Sequence, residues 1–254
     1  MSKKTLDYRD SHVEKGKGKV YHDSFEVFPF RKYQWEWEQV VLGSILENKL
    51  RSDSSILDFA CGTGRILSFL VTKSNHVTGV DLSDTMLEIS RKNLPDVEIV
   101  KADITKDNVF KGKRQFDVIT SFRFFLNAQN SLRIEVLNAL HPLLKDDGIF
   151  IFNNHGNAMG FGTFLGKWAI DLKNIFRKST EQFVYNTLSE SKVKQLINET
   201  GFEIIETFHR SVFPILNEKT KFNVSKIEKL ENWFSSRKSL RPLARNVIYV
   251  CKKI

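Results

Sequence analysis

The chain has 254 residues, 41% of them hydrophobic, enough for a sizeable core in one large α/β domain or in one domain with appendages. Two cysteines, Cys61 and Cys251, exclude a disulfide framework and point to reduced, buried thiols in a cytoplasmic protein. The start is polar, without a signal peptide, and no apolar run is long enough to span a bilayer. A net charge of +9 admits a nucleic acid, an anionic membrane surface or a phosphorylated substrate, without choosing among them.

Residues 1–20 are polar and aperiodic and are expected to form a flexible tail ahead of one domain, 21–254. An aromatic cluster from Tyr21 to Trp37 leads into a helix that ends near Leu50. Strands and helices then alternate, as a doubly wound sheet requires. Strand one is expected at 54–60, a helix at 64–73 and strand two at 76–82. Ser83 caps a helix running to Leu94, and strand three spans 97–102. Strand four spans 116–122, followed by a helix over 131–145. Asp147-Gly148 turns the chain into strand five, 149–153. A helix over 189–200 ends at Gly201, a natural C-terminal cap, and strands six and seven fall at 202–209 and 245–251. The expected architecture is therefore α/β, with a doubly wound, mostly parallel seven-stranded sheet. Two insertions interrupt it: a helix within 157–188, with its aromatic residues on one face, and a basic excursion, 211–243, holding a short helix near 225–236.

The most informative stretch is Leu57-Asp58-Phe59-Ala60-Cys61-Gly62-Thr63-Gly64, a short apolar strand stopped by a glycine turn with a helix behind it. Glycines there let the backbone take φ > 0 and let a ligand lie against bare main chain. The helix N-terminus offers unpaired N–H groups to an anion. A dinucleotide fingerprint needs a third glycine where Leu67 stands. Asp81 ends strand two, seventeen residues beyond Gly64, where an acid can accept hydrogen bonds from both hydroxyls of a ribose.

This stretch resembles the first motif, D-x-G/A-x-G-x-G, of class I S-adenosylmethionine-dependent methyltransferases, with Ala60 and Cys61 leading into Gly62. The resemblance covers roughly Val40 to Asn154 and the two closing strands. It implies a Rossmann-like methyltransferase fold with an antiparallel last strand and S-adenosyl-L-methionine as cofactor. Asp58, Ala60, Gly62 and Gly64 would then face the methionine part, with Asp58 holding its ammonium group directly or through water. Asp81 and Leu82 would meet the ribose. Asp103 would accept the adenine amino group, Ile104 would contact the ring, and Ser121 would lie near the reacting methyl group. The Phe124–Ala128 and Asn153–Asn157 runs are also similar to a bacterial group associated with surface-polysaccharide pathways, which suggests a sugar, glycan or lipid-linked acceptor. Strand four is followed by neither Asn-Pro-Pro-Tyr nor Asp-Pro-Pro-Tyr, which removes support for methylation of a nucleobase or amide nitrogen.

An alcohol acceptor is a poor nucleophile until its proton is removed. His155, at the end of strand five, is the candidate base, with a structural, hydrogen-bonded histidine as the alternative. Tyr21, His22 and Arg123 are candidates for substrate contacts. The histidines and cysteines show no metal-ligand spacing, so no metal site is expected. The leading reading is thus O-methylation of a small-molecule or glycan acceptor. Two others compete with it. The 157–188 helix has the makeup of an interfacial membrane helix as well as that of a lid. The basic residues of 219–253 could track RNA or DNA, although no nucleic-acid module accompanies them.

Overall fold

Strand β1 (Ser55–Phe59) sets the frame, because its side chains alternate between two separate cores. Ile56 enters one core and Leu57 the other, as the two-residue period of a strand demands. A parallel strand covered on both faces is mostly apolar, and residues 56–59 of β1, Asp58 among them, are all buried. The computed structural model describes residues 8–10, 17–110, 112, 114–160, 163, 186–212 and 225–254.

Helices α1 (Lys17–Val27) and α2 (Pro29–Glu47) precede β1. They are followed by α3 (Arg65–Leu70), β2 (His76–Asp81), α4 (Asp84–Asn93), β3 (Glu98–Lys101), β4 (Phe116–Ser121), α5 (Asn130–Leu140) and β5 (Leu144–Asn154). The closing elements are α6 (Glu190–Glu199), β6 (Phe202–Arg210), α7 (Ser225–Ser236) and β7 (Asn246–Lys253). The seven strands lie in the order β3-β2-β1-β4-β5-β7-β6, with only β7 antiparallel to its neighbours. This is the doubly wound sheet that the alternation predicts, with the antiparallel last strand that the resemblance implies. On one face α2 and α3 bring Val41, Leu42, Ile45, Leu46, Ile66, Leu67 and Leu70 against Ile56, Val118 and Ile151. On the other, α5 and α6 cover Leu57, Ile119 and Phe150 with Leu132, Val136, Leu137 and Ile197. Cys61 and Cys251 are free and buried.

Three expectations are corrected. The helix expected over 131–145 ends at Leu140, because Pro142 has no N–H to donate and turns His141–Leu143 into a 3-10 segment. Leu144 already pairs with Phe116, so β5 begins well before Ile149. The register shifts between Phe116 and Val118, which is how the strand absorbs the Asp147-Gly148 turn expected there.

The third correction concerns the expected tail. Tyr8–Asp10 form a 3-10 turn against the body, and α1 starts at Lys17. Gly18 of α1 packs on α4 so closely that a Cβ would lie 2.5 Å from the Thr85 carbonyl oxygen. That contact is tertiary and leaves no periodic trace in the sequence. Of the two expected insertions, most of 157–188 and residues 213–224 lie outside the described residues, whereas the helix near 225–236 is present as α7. Among the described residues no helix is long and apolar enough to cross a membrane.

Candidate active site

The order of the sheet reverses between β1 and β4, and a cleft opens there at the carboxyl ends of the strands, where open α/β sheets bind ligands. It has a volume of about 880 Å³ counted out to its mouth. Phe59, Ala60 and Gly62 line it from the end of β1, Asp81, Leu82 and Ser83 from β2, Ala102, Asp103 and Ile104 from β3, and Phe122 and Arg123 from β4.

Gly62 has φ +55, and a Cβ built on it would meet nothing within 4 Å. Its backbone is therefore both left-handed and open to a ligand. Its N–H donates to Asp81 Oδ2 at 2.9 Å, while Oδ1 of the same carboxylate accepts from the Ser83 N–H at 2.9 Å. The glycine corner and the strand-two acid thus form one rigid unit. Ala60 holds φ +57 without being glycine, a conformation that costs on the order of 1–3 kcal/mol and concentrates at ligand sites.

Other expected residues lie elsewhere. Gly64 does not line the cleft: a Cβ there would lie 2.6 Å from Ser90 Oγ, so its smallness lets α3 pack on α4. Asp58 is buried beneath the turn, where its Oδ1 accepts from Thr120 Oγ1 at 2.6 Å and its Oδ2 has no hydrogen-bond partner. Burial raises its pKa to about 7, against the Thr120 bond and the Arg65 charge, which lower it. Ser121 is fully buried, and neither it nor His22 reaches the cleft lining. Leu82 and Ile104 line the cleft, as do Tyr21 and Arg123.

Asp103 is at the cleft, but its carboxylate is already engaged. Oδ2 accepts from Arg9 Nε at 3.0 Å, and Oδ1 accepts from the Thr105 N–H and hydroxyl at 3.1 and 2.6 Å. Burial raises its pKa, and these bonds, with Arg9 and Lys106 nearby, outweigh burial and hold the carboxyl below its usual range.

Arg9 and its neighbour Tyr8 went unread in the sequence. Tyr8 stacks edge-on against Phe124 with ring centroids 5.7 Å apart, and its N–H donates to Gln129 Oε1 at 3.2 Å. Burial lifts its phenol above the ordinary tyrosine range. Arg9 also reaches Thr105 and Glu135. An aromatic–basic pair in a polar segment gives no periodic signal, so only the fold reveals that the turn walls the cleft.

His155 lies outside the cleft lining, in an adjoining hollow shared with Arg31, Gln34, Arg123, Ser211, Arg245 and Asn246. Burial, then the charges of Arg123, Arg245, Arg31 and Arg65, hold its pKa well below the usual value, and its Nδ1 has no hydrogen-bond partner. The Arg123 N–H donates to Asn153 Oδ1 at 2.7 Å. Asn153 Nδ2 in turn donates at 3.2 Å to Glu38, a buried carboxylate that also receives Arg65 at 2.7 Å. Polar side chains from α2, α3, β5 and β7 therefore converge under Arg123. Among the described residues no group of three or more His, Cys, Asp or Glu could hold a metal ion.

An exposed glycine turn, a carboxylate fixed beside it at the end of β2 and apolar walls at Leu82 and Ile104 leave room for an adenosine joined to an amino acid. Comparison with known proteins agrees. Residues 56–148 match the model of a methyltransferase domain. An uncharacterized protein of Methanocaldococcus jannaschii is 28% identical over 229 residues, covering 81% of this chain and 84% of that protein. The demethylmenaquinone methyltransferase of Thermotoga maritima is 29% identical over 184 residues, covering 66% of this chain and 77% of that enzyme. In fold, the chain is similar to the magnesium protoporphyrin IX methyltransferase of Synechocystis, solved with bound S-adenosylhomocysteine, at TM-score 0.64 and 11% identity, over 97% of this chain and 98% of that one.

Fold, cleft and relatives together define a methyl-transferring enzyme with a Rossmann-like sheet. Residues 56–148 carry a methyltransferase domain, and the fold around them is that of S-adenosylmethionine-dependent methyltransferases.

Proposed function

We propose that the enzyme methylates a small-molecule or glycan acceptor at a hydroxyl oxygen. When bound, S-adenosylmethionine supplies an electrophilic methyl group on a sulfonium, so positioning and exclusion of water account for much of the acceleration. In this reading Gly62 and Asp81 hold the donor, Leu82 and Ile104 flank its base, and Tyr21 and Arg123 face the acceptor. Asp58, under the turn, serves the donor's ammonium group through water or through the field of its charge. His155 takes the hydroxyl proton: its imidazole is neutral, and its Nδ1 is bare. The observation that carries the assignment is the Gly62–Asp81 hydrogen bond at the strand switch point, which joins the two residues the donor would need.

Support for a small acceptor comes from relatives that act on quinones and on a nucleotide-linked amino sugar. The latter is an N,N-dimethyltransferase of Saccharopolyspora spinosa, 35% identical over 94 residues. A sugar acceptor would fit a role in polysaccharide formation in the cytoplasm.

The test is calorimetric. Asp81→Ala is expected to lower affinity for S-adenosylmethionine by about 100-fold or more, because two charge-assisted bonds go with the carboxylate. A wild-type dissociation constant would overturn the assignment. His155→Ala should retain donor binding and lower turnover by about 10²–10⁴-fold. An unchanged rate would make the histidine structural.

A further inference from the structure

We infer that the hollow beside the cleft is a subsite for an oxyanion, a phosphate ester or a carboxylate, carried by the methyl acceptor. The inference rests on the methyltransferase reading and adds to it the chemical class of the acceptor.

The hollow, about 300 Å³ out to its mouth, is lined by three guanidinium groups, Arg31, Arg123 and Arg245, and by no carboxylate among the described residues. That is room for an acid group, with the rest of the acceptor outside. Arg31 and Arg245 also engage other groups. Arg123 is 9% exposed, and its Nε is buried without a hydrogen-bond partner. Burying a donor unpaired is costly, so a site built this way is completed by a ligand that accepts. Guanidinium groups meet the paired oxygens of carboxylates and phosphates with two parallel bonds.

The backbone supports the same conclusion. Among the described residues, the non-glycine ones with positive φ are Ala60, Arg123 and Ser211, at φ 57, 65 and 62. The first lines the cleft, the last lines the hollow, and Arg123 lines both. Gln34 holds two sides of the hollow, its Nε2 donating to Ser211 Oγ and its Oε1 accepting from Asn246 Nδ2 at 2.9 Å. Arg123 is thus the hinge between donor and acceptor. An acid group seated in the hollow places the next atoms of its molecule at the cleft, and it offsets the arginine charges that keep a proton off His155.

The experiment titrates the whole chain, loaded with S-adenosylhomocysteine, with inorganic phosphate and separately with acetate, at constant ionic strength, by calorimetry. One of the two is expected to bind at a single site with a dissociation constant on the order of millimolar. Phosphate binding identifies a phosphate ester, and acetate binding a carboxylate. Arg245→Gln is expected to weaken that binding about tenfold or more. Its affinity for S-adenosylhomocysteine should stay within about twofold of wild type, because Arg245 does not line the cleft. Arg31→Gln replaces it if the first variant does not fold, with the same loss expected. Absence of binding by both anions, or binding unchanged in the folded variant, overturns the subsite. Failure of the wild-type chain to bind S-adenosylhomocysteine would instead strike the donor reading, and the same titration on the unloaded chain then decides the hollow.

Discussion

Asp58 shows how far a residue's role depends on depth. Its position in the motif suggests a carboxylate facing the donor, yet the structure buries it under the turn with one oxygen unpartnered. Water can no longer stabilise its charge, and its pKa rises from 3.8 to about 7. A folded-state pKa above the unfolded value means that the native state holds the extra proton. Its contribution to stability is complete below about pH 4 and is lost as pH rises through about 7. Asp58→Asn keeps a carbonyl for Thr120 to donate to and removes the titration. The variant should therefore lack this fall in stability between about pH 4 and pH 7, as read from urea midpoints. An identical pH profile in the two proteins would show that Asp58 keeps an ordinary pKa.

At the scale of elements, the N-terminal turn is the least expected contributor. Tyr8–Asp10 lie against the segments after β3 and β4, and against α5, through Arg9–Asp103, Tyr8–Phe124 and Arg9–Glu135. The turn closes one wall of the cleft, so removing it opens that wall to water. Deletion of residues 1–10 should weaken S-adenosylhomocysteine binding about tenfold by calorimetry, a loss of about 1.4 kcal/mol. The helix and strand content should be unchanged, because the turn supplies no strand and touches the core only at its edge, through Tyr8. An equal or tighter dissociation constant would show the turn to be a passenger, or an obstacle that Arg9 maintains on Asp103.

For the molecule as a whole, the cleft draws on β1 to β4 and α5, so a donor seated there ties together parts far apart in the chain. A ligand that binds only the folded state at about 100 times its dissociation constant stabilises it by about 2.7 kcal/mol. For a domain of this size that corresponds to a rise of roughly 5–11 °C in Tm. Thermal unfolding with S-adenosylhomocysteine should show that rise, and Asp81→Ala should abolish it. A rise that persists in the variant would place the ligand outside the cleft.

The alternation of strands and helices, the glycine corner and the acid closing β2 were all legible from residue order, because each is local. A strand's period and a turn's need for glycine act over a few residues, and the helix expected near 225–236 is α7. Asp81 was legible because a strand's end is also a local signal. Gly64 was legible as a turn and misread as a contact, since only the packing of α3 on α4 shows that its missing Cβ makes room for Ser90.

The sequence by itself thus determined the class of fold, the donor and the glycine corner that lines the cleft. The tertiary structure decided which chemistry-bearing groups meet. It brought Arg9 to Asp103, sank Asp58 and Ser121 below the surface, and gathered Arg31, Arg123, His155 and Arg245 into one hollow. The physical reason is that burial and long-range charge depend on neighbours supplied by distant segments, and no local pattern records them.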